Sequence, residues 1–292
     1  MLRVAIHYPI AERTPNNPLA NLGFLGLNTE KVLGLNDILA NIKKAKTDDN
    51  IKGIFLDQSD MLSGQATTEE IRNALIDFKK SGKFVVSYSE VYSQSAYYLA
   101  SVADKVYMNP KGMLEFAGFS SQITFLKGAM DKLGIEAQVI KVGTYKSAVE
   151  PYVLTKMSDA NREQVTSYLG SLYDHFLAGI GTARKLNKDT LFNIANELRV
   201  QSPGDALKYK LVDGLKYKDE VLDELKNRTG TAKKSNQHSV DLGDYTKSGV
   251  KNSEADDTKA TTSNRIAIVY ASGEINGGDG DENSIGSESL TK

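Results

Sequence analysis

Short apolar runs alternate with amphipathic stretches over the first two-thirds of the chain, the pattern of strands interleaved with helices in an α/β fold with a largely parallel sheet. Ile51 to Leu56 reads as a strand, and Thr67-Thr68-Glu69-Glu70 offers a capping box. Ile71, Leu75 and Phe78 then recur at helical spacing until Ser81-Gly82 ends the helix, and Lys83 to Tyr88 is the next strand. Ser95 to Val102 predicts a short helix, Lys105 to Met108 a short strand, and Phe125 to Leu133 a helix stopped by Gly134. Glu136 to Val142 reads as a strand. After Pro151 the spacing of Val165, Leu169, Leu172, Phe176 and Ile180 predicts one long helix over residues 159–185 with an apolar face.

The pattern changes after Asn227. Residues 229–264 are rich in Ser, Thr, Lys, Asp and Gly and nearly free of large aliphatics, which reads as a linker. Arg265-Ile266-Ala267-Ile268-Val269-Tyr270 then echoes Arg3-Val4-Ala5-Ile6-His7-Tyr8, so residues 265–292 are expected to open a second copy of the domain held in residues 1–228, and that copy is cut short.

Composition removes several function classes. The 36 basic and 37 acidic side chains nearly cancel, with no basic run interleaved with aromatics, so no nucleic-acid partner is expected. Cysteine is absent, which excludes disulfides and thiolate chemistry. The three histidines, His7, His175 and His238, fall in separate elements, and no metal or cofactor is expected. Asp174-His175 lies within the long helix, where neighbours point about 100° apart, so it is not read as part of a triad. Gly277-Gly278-Asp279-Gly280-Asp281 lacks both EF-hand spacing and the Lys-Ser/Thr of a phosphate loop, and reads as a flexible loop. No apolar run reaches the ~18 residues of a membrane span, and the first residues lack a signal-peptide layout.

The candidate chemistry lies in Gly143-Thr144-Tyr145-Lys146-Ser147-Ala148-Val149-Glu150-Pro151. A lysine works as a general base only when neutral, which requires desolvation or a nearby cation. Lys146 follows an apolar run, between a glycine that permits a tight turn and a residue biased to extended geometry by Pro151. Ligand crevices of open α/β sheets lie outside the carboxyl ends of strands, where this residue is expected. Spacing alone favours a solvated loop lysine, the commoner state of lysines.

The residue string itself resembles the lysine motif of the long, two-repeat form of signal peptide peptidase A, or protease IV. Tyr92-Ser93-Gln94 with Tyr97-Tyr98-Leu99-Ala100-Ser101, Ala103-Asp104-Lys105-Val106-Tyr107, and Lys208-Tyr209-Lys210-Leu211-Val212-Asp213-Gly214 are similar to other parts of that family's first repeat. Arg265 to Ile275 resembles the start of its second. The resemblance implies a ClpP/crotonase-like fold of stacked ββα-type units and a serine peptidase of the Ser-Lys type. Such a peptidase degrades cleaved signal peptides or other extended apolar peptides. It also implies a homo-oligomer at the bacterial cytoplasmic membrane, held by an anchor that this chain lacks, with its catalytic part on the periplasmic or outer side.

On that resemblance Lys146 is the general base and the serine comes from the second repeat, beyond Lys292. Gln94 falls at the position matching the serine, flanked by Ser93 and Ser95, and Asp57 to Gly64 departs from the Pro-Gly-Gly that supplies oxyanion donors in the active repeat. This chain alone is therefore expected to be inactive. Two other readings remain: a non-catalytic repeat module for assembly or substrate binding, and a crotonase-like acyl-CoA enzyme. Tyr97-Tyr98 could line a substrate groove or pack a helix on the sheet.

Overall fold

The computed structural model describes residues 1–14, 32–232, 238–248, 273–281 and 284–288 of the 292-residue chain. In chain order these form β1 (Leu2–Val4), α1 (Leu35–Thr47), β2 (Gly53–Asp57), α2 (Gln65–Lys79), β3 (Phe84–Tyr92), α3 (Gln94–Ala100) and β4 (Lys105–Leu114). Next come α4 (Lys127–Lys132), α5 (Glu150–Val153), α6 (Asp159–Arg184), α7 (Lys188–Asn196), α8 (Pro203–Lys208), β5 (Gly214–Leu215) and α9 (Lys218–Thr229). The last are β6 (Val240–Asp241), α10 (Leu242–Tyr245), β7 (Glu274–Asn276), β8 (Gly280–Asp281) and β9 (Ser284–Gly286). The fold is α/β, as the pattern predicts, with a largely parallel sheet of six strands in the order β5-β4-β3-β2-β1-β6. Among the described residues no helix is long and apolar enough to cross a membrane.

The chain divides into two compact units, one of Met1–Ile54, Leu62–Phe84 and His238–Lys292, the other of Phe55–Met61 and Val85–Gln237. In the first, α1 buries Leu35, Ile38, Ile42 and Ala45, and α2 buries Ile71, Leu75 and Phe78. Both are helical repeats of apolar positions, and the two helices pack on each other. The expected capping box at Thr67 is not formed. The helix starts earlier, at Gln65 with Gly64 as N-cap, so Thr67 and Thr68 lie within its first turn and the Thr68 hydroxyl donates back to the Gly64 carbonyl at 3.2 Å.

The polar stretch 229–264 is not uniform. Val240–Asp241 pair in parallel with β1, Leu2 opposite Val240, and α10 buries Leu242 and Tyr245. Asn41 donates to the Leu242 carbonyl (3.2 Å) and the Thr246 hydroxyl (2.7 Å). The buried Lys44 donates to the Tyr245 carbonyl at 2.6 Å, lying over the Tyr245 ring, and the Tyr245 hydroxyl donates to Asp48 at 2.8 Å. Three well-spaced apolar side chains and one strand pairing suffice to dock a segment whose composition reads as linker. The strand expected at Arg265 to Tyr270 lies outside the described residues. β7, β9 and β8 form a small sheet, and Gly278 and Gly280 turn the chain between β7 and β8 with positive φ, which places the Gly/Asp cluster in that connection.

In the second unit β3 and β4 run parallel from Val86 opposite Lys105 to Tyr92 opposite Leu114, with a register shift between Ser89 and Val91. β4 is longer than the strand expected from Lys105 to Met108, since residues beyond the shift resume pairing. An aromatic core joins the layers: Tyr92 and Tyr97 ring centroids lie 6.2 Å apart, Tyr97 and Phe116 6.1 Å, and Tyr98 stacks on Phe176 at 5.3 Å. Tyr97 and Tyr98 are both buried, so they pack α3 instead of lining a groove. The long helix α6 matches its expectation, capped by Ser158, whose hydroxyl accepts from the Asn161 N–H at 3.1 Å. Phe176, Leu177 and Ile180 bury its C-terminal half, whereas Leu172 stays exposed.

Candidate active site

Lys146 lies in the second unit, in an irregular connection between α4 and α5. The strand expected from Glu136 to Val142 is not formed. A strand needs a neighbour for its N–H and C=O groups, and among the described residues no strand pairs with this segment. Its apolar side chains face solvent: Ile140 is 100 % exposed and Val142 88 %. Lys146 is itself exposed, the solvated state that spacing alone also describes. Gly143 turns the chain ahead of it with φ 107°.

The loop is anchored at its far end by a residue that the sequence reading noted only as the neighbour of Pro151. Glu150 is buried, at 2 % exposure. Its carboxylate accepts from the Ser158 hydroxyl (2.6 Å), the Asn161 amide (2.9 Å) and the Ser158 backbone N–H (3.2 Å). The Ser158 hydroxyl foremost, with Asn161 and the backbone, holds the carboxyl below its usual range against the opposing effect of burial. Glu150 thereby ties the end of the lysine loop to the first turn of α6, where a negative charge also suits the helix dipole. The sequence signal that could have found it is the acidic residue eight positions before a Ser N-cap, which has meaning only once the turn between them is known.

Between loop and helix lies an open groove of about 550 Å³. Its walls are Tyr145 and the α6 face bearing Glu163, Ser167, Tyr168 and Leu172. The Tyr145 hydroxyl donates to Glu163 at 3.2 Å, and that hydrogen bond pushes the phenol's pKa up.

At the position matching a nucleophile, Gln94 is a structural tie. Its side-chain carbonyl accepts from the Ala117 N–H (2.9 Å) and its amide donates to the Gly118 carbonyl (3.4 Å), holding the chain that leaves β4. Ser93 caps α3, accepting from the Ala96 N–H, and donates to Asp60 at 2.6 Å. Ser95 donates to the same carboxylate oxygen at 3.3 Å. These hydroxyl bonds, that of Ser93 first, lower the Asp60 pKa. Both serine hydroxyls thus engage one carboxylate whose lowered pKa makes it a weak base, an arrangement that fixes the turn at the start of α3. Asp174 pairs with Lys188 at 2.6 Å, and His175 is exposed on α6, so the Asp-His pair builds no catalytic relay.

Comparison with known proteins places these features in a family. The chain is similar to Protease 4 of Salmonella typhi, 33% identical over 286 residues, covering 94% of this chain and 45% of that protein. It is also similar to the chloroplastic serine protease SPPA of Arabidopsis thaliana, 32% identical over 247 residues, 83% of this chain and 35% of that protein. A putative signal peptide peptidase SppA of Enterococcus faecium is 23% identical over 265 residues, 89% of this chain and 76% of that protein. The chain thus spans less than half the length of the first two relatives. Peptidase family S49 matches residues 77–232, just over half the chain, a span that holds α3, the lysine loop and α6 together. This chain, with Lys146 in the loop before α6, belongs to peptidase family S49.

Proposed function

We propose that the chain is the lysine-bearing part of a serine endopeptidase of the Ser-Lys type, acting on cleaved signal peptides or similar extended apolar peptides. Membership of family S49, with the string Gly143 to Pro151 inside the matched span, carries this reading. Lys146 takes the proton from a serine hydroxyl and later passes it to the leaving amine. The serine comes from a second repeat, in keeping with the Salmonella typhi and Arabidopsis thaliana relatives, each more than twice as long, since Gln94 has no nucleophilic oxygen and Ser93 and Ser95 are committed to Asp60.

The exposure of Lys146 has a mechanistic meaning in this scheme. A general base works only in its neutral form, and covering the loop with the serine-bearing surface would exclude water from the reacting groups. Residues 1–228 then form the first repeat, residues 229–264 the connection, and residues from 265 the opening of the second. Assembly into a homo-oligomer on the outer side of a bacterial cytoplasmic membrane belongs to the same proposal.

In the complete gene product, Lys146→Ala is expected to lower hydrolysis of a signal-peptide-type peptide by at least about 10³-fold. Lys146→Arg is not expected to rescue it, because a guanidinium does not shed its proton. A fluorophosphonate probe is expected to leave the 292-residue chain unlabelled. Stoichiometric labelling would place the nucleophile here and overturn the division of roles. Unchanged turnover in Lys146→Ala would leave the non-catalytic repeat module as the reading, which the structural use of Gln94 also suits.

A further inference from the structure

We propose that the groove between the lysine loop and α6 is a peptide subsite that takes one cationic side chain of the substrate, with Glu163 as its counter-charge. Tyr145 and Tyr168 present their rings in this groove at 52 % and 47 % exposure, and Glu163 is exposed beside them. The recorded partner of the Glu163 carboxylate is a neutral hydroxyl, that of Tyr145, and among the described residues no lysine or arginine pairs with it. A carboxylate in a groove lined by two tyrosines suits an ammonium or guanidinium, which can gain an ion pair there and contact with an aromatic ring. A carboxylate or a purely aliphatic side chain gains neither.

The position of the groove decides what kind of peptide it serves. Tyr145, a wall of the groove, is the chain neighbour of Lys146, so the groove borders the loop that carries the proposed base. Three to five residues upstream in the same loop, Val142 and Ile140 offer bare apolar surface. Bare apolar side chains followed by a cation site match a peptide in which a positively charged segment adjoins an apolar one. That is the layout of a signal peptide, with its basic n-region and apolar h-region. Leu172, 40 % exposed, continues the apolar wall along α6 one turn beyond Tyr168. The class of occupant rests on the peptidase reading above, whereas the charge preference rests on the groove.

The test is a binding measurement on the full 292-residue chain, so it does not depend on turnover. The probes are three acetylated leucine/alanine dodecapeptides labelled with fluorescein at the carboxyl end, one with a single lysine and the others with norleucine or glutamate in its place. Fluorescence anisotropy at low salt is expected to show the lysine peptide binding about five-fold more tightly, a preference that shrinks as salt is raised. Glu163→Gln is expected to abolish the preference, and Glu163→Lys to transfer it to a glutamate peptide. Tyr168→Ala is expected to weaken the lysine peptide more than the norleucine one. Equal affinity of the lysine and norleucine peptides for the wild type, binding of neither, or a preference that survives Glu163→Gln each overturns the proposal. Because Glu163 is exposed, neither charge variant should disturb folding, which circular dichroism checks. Lys146-independent turnover in the complete gene product would remove the peptidase reading and leave the charge preference to stand or fall by these titrations.

Discussion

Glu150→Gln is the substitution whose effect is best defined by the geometry. Three donors converge on the Glu150 carboxylate: the Ser158 hydroxyl at 2.6 Å, the Asn161 amide at 2.9 Å and the Ser158 N–H at 3.2 Å. Glutamine keeps the volume and one carbonyl oxygen, but it turns an NH₂ toward a donor and removes the charge from the start of α6. A hydrogen bond to a charged group contributes about 1.5–3 kcal/mol, and a carboxylate at a helix N-terminus about 0.3–1 kcal/mol. The expected loss is therefore about 2–4 kcal/mol, concentrated in the lysine loop and the first turns of α6. Hydrogen exchange resolved by mass spectrometry over residues 143–165 is the assay, because it reads local opening that a global melt averages. The pH dependence has a definite sign. Glu150 is held below its unfolded value, so its stabilisation is complete above about pH 4.3 and disappears as pH falls through the folded value. The gap between wild type and Glu150→Gln should be present at pH 7 and shrink as pH falls below about 4.3 and through the lower folded value. Equal protection at pH 7, or a gap that persists unchanged to acid pH, would refute the assignment.

Other outcomes follow from neighbouring contacts. Ser158→Ala should cost about 1 kcal/mol as a lost cap and couple to Glu150→Gln in a double-mutant cycle by more than about 0.5 kcal/mol. Gly179→Ala opposes two effects: helix propensity favours alanine by about 1 kcal/mol, but a Cβ at residue 179 would lie 2.6 Å from the buried Tyr98 hydroxyl. Overpacking costs about 1–3 kcal/mol, so the melting temperature should fall, and a rise would show that Tyr98 yields freely. Tyr245→Ala removes the ring beneath Lys44 and the hydroxyl bonded to Asp48, with an expected cost of about 3–5 kcal/mol. Residues 238–248 should then become sensitive to trypsin at Lys247, which limited proteolysis detects.

Elements with local signals were legible in the chain. Apolar spacing marks the face that α2 buries and, through Phe176 and Ile180, the C-terminal half of α6, and the run at β2 marks a buried strand, because periodicity records which side of an element meets the core. The string around Lys146 carried the family, since it is a chemical pattern independent of contacts.

Tertiary structure decided whatever depends on a partner distant in sequence. The apolar segment from Glu136 to Val142 has strand-like composition and no strand beside it, so it stays irregular and Lys146 stays exposed. Val240 to Tyr245 has the composition of a linker, yet β1 and α1 supply a strand edge and buried polar partners, so it folds. Gln94 and Glu150 became legible only when Ala117 and Ser158 were brought beside them. Composition and periodicity register what a residue prefers; hydrogen bonds and burial require a neighbour, and only the folded chain says which neighbour is there.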